Sequence, residues 1–275
     1  MQITATSAEL IQLGIALLLA GALSGLLAGI FGIGGGAVIV PVLYQALVYL
    51  GVDESVRMHV AVGTSLAIIV PTSLRSFFAH KRRGAVDMAL FRSFLIPVPL
   101  GVIVASIVAA SISGAALRGI FAAIALAVAL KLILQRQGWQ LGQDIPGNPS
   151  RAIIGGLIGF FSTLMGIGGG IITNTYMTLF GRPIHQAVAT SSGVGVLISI
   201  PGVIGYVWAG WGNPLLPPFS LGFVNLIGVL VVIPASVLIA PLGVRIAHVL
   251  TRRQLELGFG IFLVVVAIRF AVSLL

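Results

Sequence analysis

Not one cysteine occurs in the 275 residues of this chain. Disulfides, thiolate nucleophiles and thiolate metal sites are thereby excluded. Acidic residues are nearly as scarce, six against fifteen lysines and arginines. Charged residues make up 8% of the chain, where a soluble domain carries about 25%, so there is too little charge to cover a water-facing surface. The six acids (Glu9, Asp53, Glu54, Asp87, Asp144 and Glu256) fall in loops or at predicted helix ends. No carboxylate is left inside an apolar run to relay a proton or a cation. HExxH and GxSxG are absent as well. An enzyme is therefore not expected, and neither a metal nor a cofactor is expected.

What is present is apolar. Hydrophobic residues account for 58% of the chain and the mean hydropathy is +1.16, the composition of an all-α integral membrane protein. The net charge of +9 needs no nucleic-acid partner, because basic residues gather in cytoplasmic loops of membrane proteins. The opening MQITATSAEL lacks a basic n-region and reads as a short tail before an uncleaved helix. Apolar runs separated by polar or Gly/Pro punctuation fall at about 9–31, 36–50, 57–79, 88–110, 114–135, 151–166, 169–180, 185–208, 218–243 and 254–274. Residues 136–150 form the one polar linker, expected to be cytoplasmic, between a first membrane repeat (1–135) and a second (151–275). His80-Lys-Arg-Arg83, Arg136 with Arg151, and Arg245 with Arg252 and Arg253 mark inside loops. Loop 51–56 and the uncharged Ala209–Pro218 then lie outside, as do both termini.

The two halves repeat one another. Phe31-Gly-Ile-Gly-Gly-Gly36 returns as Met165-Gly-Ile-Gly-Gly-Gly170, and His59–Ser65 matches His185–Ser191 at five of seven positions. Pro99-Leu-Gly-Val102 recurs as Pro241-Leu-Gly-Val244, and Gly21 and Gly25 are echoed by Gly155 and Gly159. The loop after the first Thr-Ser helix is HKRR and the equivalent second loop is WAGWGNPLLPP, so the two face opposite sides. The expected fold is two inverted-topology repeats, each a broken-helix hairpin, re-entrant or spanning, plus three transmembrane helices. Secondary transporters are built this way, with the site near the midplane.

Each glycine costs a helix about 1 kcal/mol relative to alanine, so four within five residues break it. Backbone broken at membrane depth must be buried in protein or line a polar cavity. Helix resuming after each motif leaves N–H groups free at its start, an anion site. The alternative is close helix packing, which suits Gly21, Gly25, Gly29, Gly155 and Gly159 better than consecutive glycines. The candidate substrate-binding residues are Gly32, Gly34, Gly35, Gly36, Gly166, Gly168, Gly169 and Gly170, with the hydroxyls of Thr64, Ser65, Thr190 and Ser191 and the amide of Asn174. Back-bonding to their own helix is the competing role for those hydroxyls. His59 and His185 are candidates for proton handling or for capping, and Arg75 for attracting an anion or for snorkelling. A neutral-to-positive interior favours an anion as cargo.

The segments AGIFGIGGGAVIVPVL and HVAVGTSLAIIVPTS, with their second-half echoes, resemble the sulfite exporter TauE/SafE family of bacterial membrane permeases over nearly the whole chain. That family places proline after the glycine motif. Pro41 keeps the habit and Thr175 departs from it. The resemblance implies a multi-pass inner-membrane carrier exporting sulfite or organosulfonates such as sulfoacetate. A proton or another ion would be its coupling partner. An anion channel, and behind it a membrane scaffold or an intramembrane enzyme, are the rival readings.

Overall fold

The computed structural model describes residues 14–15, 17–19, 21–26, 30, 36–134, 140–247 and 251–274. Its helices are α1 (Leu17–Leu26), α2 (Gly36–Tyr49), α3 (Glu54–Arg82), α4 (Met88–Phe94), α5 (Pro97–Ser111), α6 (Gly114–Leu134), α7 (Ser150–Leu164), α8 (Gly170–Leu179), α9 (Ile184–Ala209), α10 (Leu226–Ala247) and α11 (Arg252–Val272). A two-stranded hairpin, β1 (Ser220–Leu221) with β2 (Val224–Asn225), precedes α10. Among the described residues four helices are long and apolar enough to cross a membrane, five if α4 and α5 form one bent span. The chain is an all-α membrane protein.

Local chemistry explains the boundaries. Asp53 caps α3 by accepting the Ser55 N–H at 2.9 Å, and Asp87 caps α4 by accepting the Leu90 N–H at 3.0 Å. His80, Lys81 and Arg82 close α3, where cations complement the helix dipole. Thr251 and Gln254 form a reciprocal capping box at the start of α11. Two sequence expectations need correction. The single run 88–110 is two helices meeting at 40°. Pro97 has no N–H to give to a carbonyl of the preceding turn and stands at the first position of α5, so the break falls at Leu95-Ile96. The run 218–243 is helical only from Leu226, because Pro217-Pro218 and the hairpin turn at Gly222 occupy its start.

α3 and α9, the helices that carry the two His…Thr-Ser segments, pack on each other at the centre and are buried along most of their length. α2 lies on α3 and α8 on α9; α5 packs on α7, and α6 on α11. Two of the spaced glycines make matching close approaches. A Cβ on Gly25 would collide with the Ser236 carbonyl of α10, and one on Gly159 with the Val98 carbonyl of α5. The described part of the 136–150 linker is docked rather than free. The Leu141 N–H donates to the Leu179 carbonyl at 2.8 Å, Arg182 pairs with Asp144 at 2.9 Å, and Ile145 is buried.

Candidate functional site

The second glycine motif stops one helix and starts another. Gly166, at φ +63°, donates to the Thr163 carbonyl at 3.1 Å, and the Ile167 N–H reaches the Ser162 carbonyl at 3.0 Å. This is the left-handed glycine stop that satisfies the last carbonyls of α7. Ile167 is buried beneath the turn. Gly169, again left-handed at φ +71°, is the N-cap of α8 and brings no capping side chain. The first-turn N–H groups of α8 therefore have no partner within the helix.

Against this turn sits the start of α2. A Cβ on Gly36 would collide with the Gly166 carbonyl and come within 2.8 Å of Ile69 Cδ1. The last glycine of the first motif thus rests on the second motif. Ser65 donates to the Gly166 carbonyl at 2.8 Å, tying α3 to the same turn. Gly168 lies against Ile69, and Gly195 of α9 lies against the Gly168 carbonyl and the Ser73 hydroxyl. Gly32, Gly34 and Gly35 lie outside the described residues.

The paired threonines occupy equivalent positions. Thr64 Oγ1 accepts the Asn225 N–H at 2.8 Å, and Thr190 Oγ1 accepts the Asp87 N–H at 2.9 Å. Asn225 and Asp87 do the same job, each taking an N–H of the helix that follows: Gly228 at 2.9 Å for Asn225 and Leu90 at 3.0 Å for Asp87. Each threonine therefore holds the N-cap of a helix from the other half of the chain. An oxygen that accepts an N–H keeps its own proton free to donate. Ser191 instead bonds to the Val188 carbonyl of its own helix at 3.0 Å.

The other candidates are dispersed. His59 is buried six residues before Ser65, about 9 Å along α3. Its Nε2 lies 2.9 Å from the Ala109 carbonyl in the last turn of α5, and its ring stacks on Phe223 at 4.8 Å. His185 and Arg75 are exposed. Asn174 lies on α8, and its Oδ1 is buried without a partner. Ser162 and Thr173, fully buried on either side of the turn, also have unpartnered hydroxyls. Sequence reasoning passed over both, since a lone Ser or Thr in a membrane helix usually bonds its own backbone.

A glycine turn touching the start of a second helix, deep among apolar residues, carries no chemistry of its own. Comparison with known proteins supplies the family. The family model for the sulfite exporter TauE/SafE matches residues 17–270. The chain belongs to the sulfite exporter TauE/SafE family. A probable membrane transporter protein of Haemophilus influenzae is 38% identical over 252 residues, covering 91% of this chain and 95% of its own. One from Methanocaldococcus jannaschii is 28% identical over 242 residues, covering 88% and 89%. A third, from Bacillus subtilis, is 29% identical over 216 residues, covering 72% and 79%. No solved structure matches the chain. The TauE/SafE match spans both glycine motifs, both threonine clasps and every helix from α2 to α10, and it makes this protein a multi-pass membrane transporter.

Proposed function

We propose that the protein is a secondary carrier of small sulfur-containing oxyanions, sulfite or organosulfonates, exporting them across the bacterial inner membrane by alternating access between two inverted halves. The observation that carries this reading is the seat of Gly36 on Gly166, where the start of α2 meets the stop-and-start turn between α7 and α8. A helix start laid against an interrupted helix in an apolar interior is how carriers present backbone donors to an anion. Gly32, Gly34, Gly35, Gly36, Gly166, Gly168, Gly169, Gly170, Ser65 and Asn174 line the substrate path in this reading. Thr64, Thr190 and Ser191 flank it, and His59 or His185 carries a coupling proton. Arg75 draws anions toward the entrance. The HKRR loop faces the cytoplasm and the 209–218 loop and both termini face outward.

Purified protein in proteoliposomes tests the reading directly. Accelerated flux of sulfite or a small sulfonate, with counterflow against unlabelled anion on the far side, is the expected result. Equal flux in vesicles with and without the protein would sink it, and flux without counterflow would make the protein a channel. Gly168→Leu, which drives a side chain into Ile69, is expected to abolish transport while the protein still reaches the membrane.

A further inference from the structure

We propose that the cargo is held by one arm, α7 to α8, through neutral donors: the hydroxyls of Ser162 and Thr173 and the first-turn N–H groups of α8, with Asn174 beside them. The site so built suits a monoanionic oxyanion, hydrogensulfite or a small sulfonate, over a dianion. This deepens the transporter reading and rests on it.

Buried polar atoms without a partner are the exception in folded proteins. Of the ten such atoms among the described residues, Ser162 Oγ, Thr173 Oγ1, Asn174 Oδ1 and Tyr176 OH cluster between residues 162 and 176, while the others, Ser24, Ser199 and Tyr206 hydroxyls among them, are scattered along the chain. Other hydroxyls of this chain show what normally happens. Thr163 donates to the Gly159 carbonyl at 2.7 Å, Thr178 to Asn174 at 2.8 Å, and Ser106 to Val102 at 2.9 Å. Ser162 and Thr173 decline that bond although both are on helices. Ser162 Oγ instead lies 3.6 Å from where a Cβ on Gly169 would be, beside the N-cap of α8. Thr173 is one turn further along; its N–H goes to the Gly169 carbonyl at 2.9 Å and its hydroxyl is left over.

The first half offers no such set. With the GIGGG motifs aligned, Ile39, Val40 and Val42 stand where Thr173, Asn174 and Tyr176 stand in the second half. Ile39 and Val40 are fully buried, and Val40 Cγ2 would lie 2.8 Å from a Cβ on Gly166. α2 is thus an apolar cover laid on the polar arm. Between Ala152 and Gly181 the arm contains no charged residue of its own, and Lys131, which reaches it from α6, bonds Thr175 at 3.0 Å, two residues past Thr173 and so on the other side of α8. An anion there is balanced by hydroxyls, N–H groups and a helix terminus worth about half a charge. One negative charge is nearly matched, whereas a second would be desolvated without compensation.

The test uses the full chain in lipid nanodiscs, titrated calorimetrically with methanesulfonate and with sulfate, alongside methanesulfonate counterflow in proteoliposomes. Wild type is expected to bind methanesulfonate at least about tenfold more tightly than sulfate. Ser162→Ala and Thr173→Val should each weaken methanesulfonate by about tenfold, the effect of losing one hydrogen bond to a charged ligand. Without ligand, both variants should unfold at the same or a higher temperature, because each removes a buried hydroxyl that has no partner. Wild-type counterflow with methanesulfonate affinity unchanged in both variants overturns the assignment of the hydroxyls, and so does a lowered unfolding temperature with affinity intact. Sulfate bound as tightly as methanesulfonate overturns the charge selection. Wild-type vesicles that move neither sulfite nor any sulfonate overturn the transporter reading itself.

Discussion

At Thr64 one hydroxyl does two jobs, since its oxygen holds the Asn225 N–H while its proton stays available. Thr64→Val keeps the shape and removes the acceptor, leaving a partly buried N–H unmade. A cost of about 1–2 kcal/mol is expected, read as a lower thermal midpoint of the purified protein, and Thr64→Ser should restore it. Thr190→Val should do the same through Asp87. Glycines separate into two kinds by the same logic. Gly36→Ala must push its Cβ against the Gly166 carbonyl, and overpacking of this sort costs about 1–3 kcal/mol. Gly258, within α11, has nothing within 4 Å of where a Cβ would stand, so Gly258→Ala is expected to be neutral or slightly stabilising in the same assay. Asp53 adds a pH dependence. The Ser55 hydroxyl and N–H hold its carboxyl below the ordinary carboxylate range. Its contribution to the first turn of α3 is present above the unfolded pKa and is lost as pH falls through the lower folded one. Amide exchange at Ser55 and Val56 should quicken in acid, and Asp53→Asn should remove that dependence.

Helix α6 acts as a strut with a cation near each end. Arg118, buried, donates to Tyr44 OH at 2.7 Å and pairs with Glu54. Arg57 and Arg118 each lie 5.7 Å from the Tyr44 ring centroid. Thirteen residues on, about 20 Å along the axis, Lys131 donates to Thr175 of α8 at 3.0 Å. The threonine that stands where the family's proline would be therefore has a structural use. α11 braces the same pair: Arg253 donates to the Leu132 and Ile133 carbonyls at 2.9 and 2.6 Å, closing the end of α6, and Arg269 reaches Gln45 of α2. α6 thus ties both glycine arms, at Tyr44 of α2 and Thr175 of α8, and α11 adds a second tie to α2 at Gln45. Arg118→Leu should release the Tyr44 end of α2. Because Glu54 is largely exposed and can turn to water, the expected loss is about 1–3 kcal/mol rather than that of a fully buried pair. Faster amide exchange confined to the C-terminal turns of α2 would locate it; uniform destabilisation would argue against the strut.

Across the whole molecule, contacts between the halves come in exchanged pairs: α1 on α10 with α7 on α5, Thr64 on Asn225 with Thr190 on Asp87. If the halves are inverted, the loops that carry Asp87 and Asn225 lie on opposite faces of the membrane. The chain has no cysteine, so single cysteines can be placed without first removing any. Arg83→Cys and Gly212→Cys, both at exposed positions, should react with a membrane-impermeant maleimide from opposite sides, Gly212→Cys in intact spheroplasts and Arg83→Cys only after lysis. Labelling of both from one side would refute the inverted arrangement.

Composition alone decided that the chain lives in a membrane and is helical, because 8% charge cannot cover a water-facing surface and backbone in lipid must bond to itself. Local rules also made the glycine stop at Gly166 legible, since it depends on a few neighbouring residues, whereas the caps at Asp53 and Asp87 emerged only with the structure. The second of the repeated glycine motifs identified the place where α7 stops and α8 starts. Only tertiary structure decided what each hydroxyl does. Ser65 crosses to Gly166, Ser191 bonds to its own helix, Thr64 and Thr190 clasp the opposite half, and Ser162 and Thr173 are left without partners. All are Ser or Thr in apolar helices and read alike in sequence. The partners of Ser65, Thr64 and Thr190 come from elements about a hundred residues or more away, and long-range packing chooses among bonds of nearly equal strength.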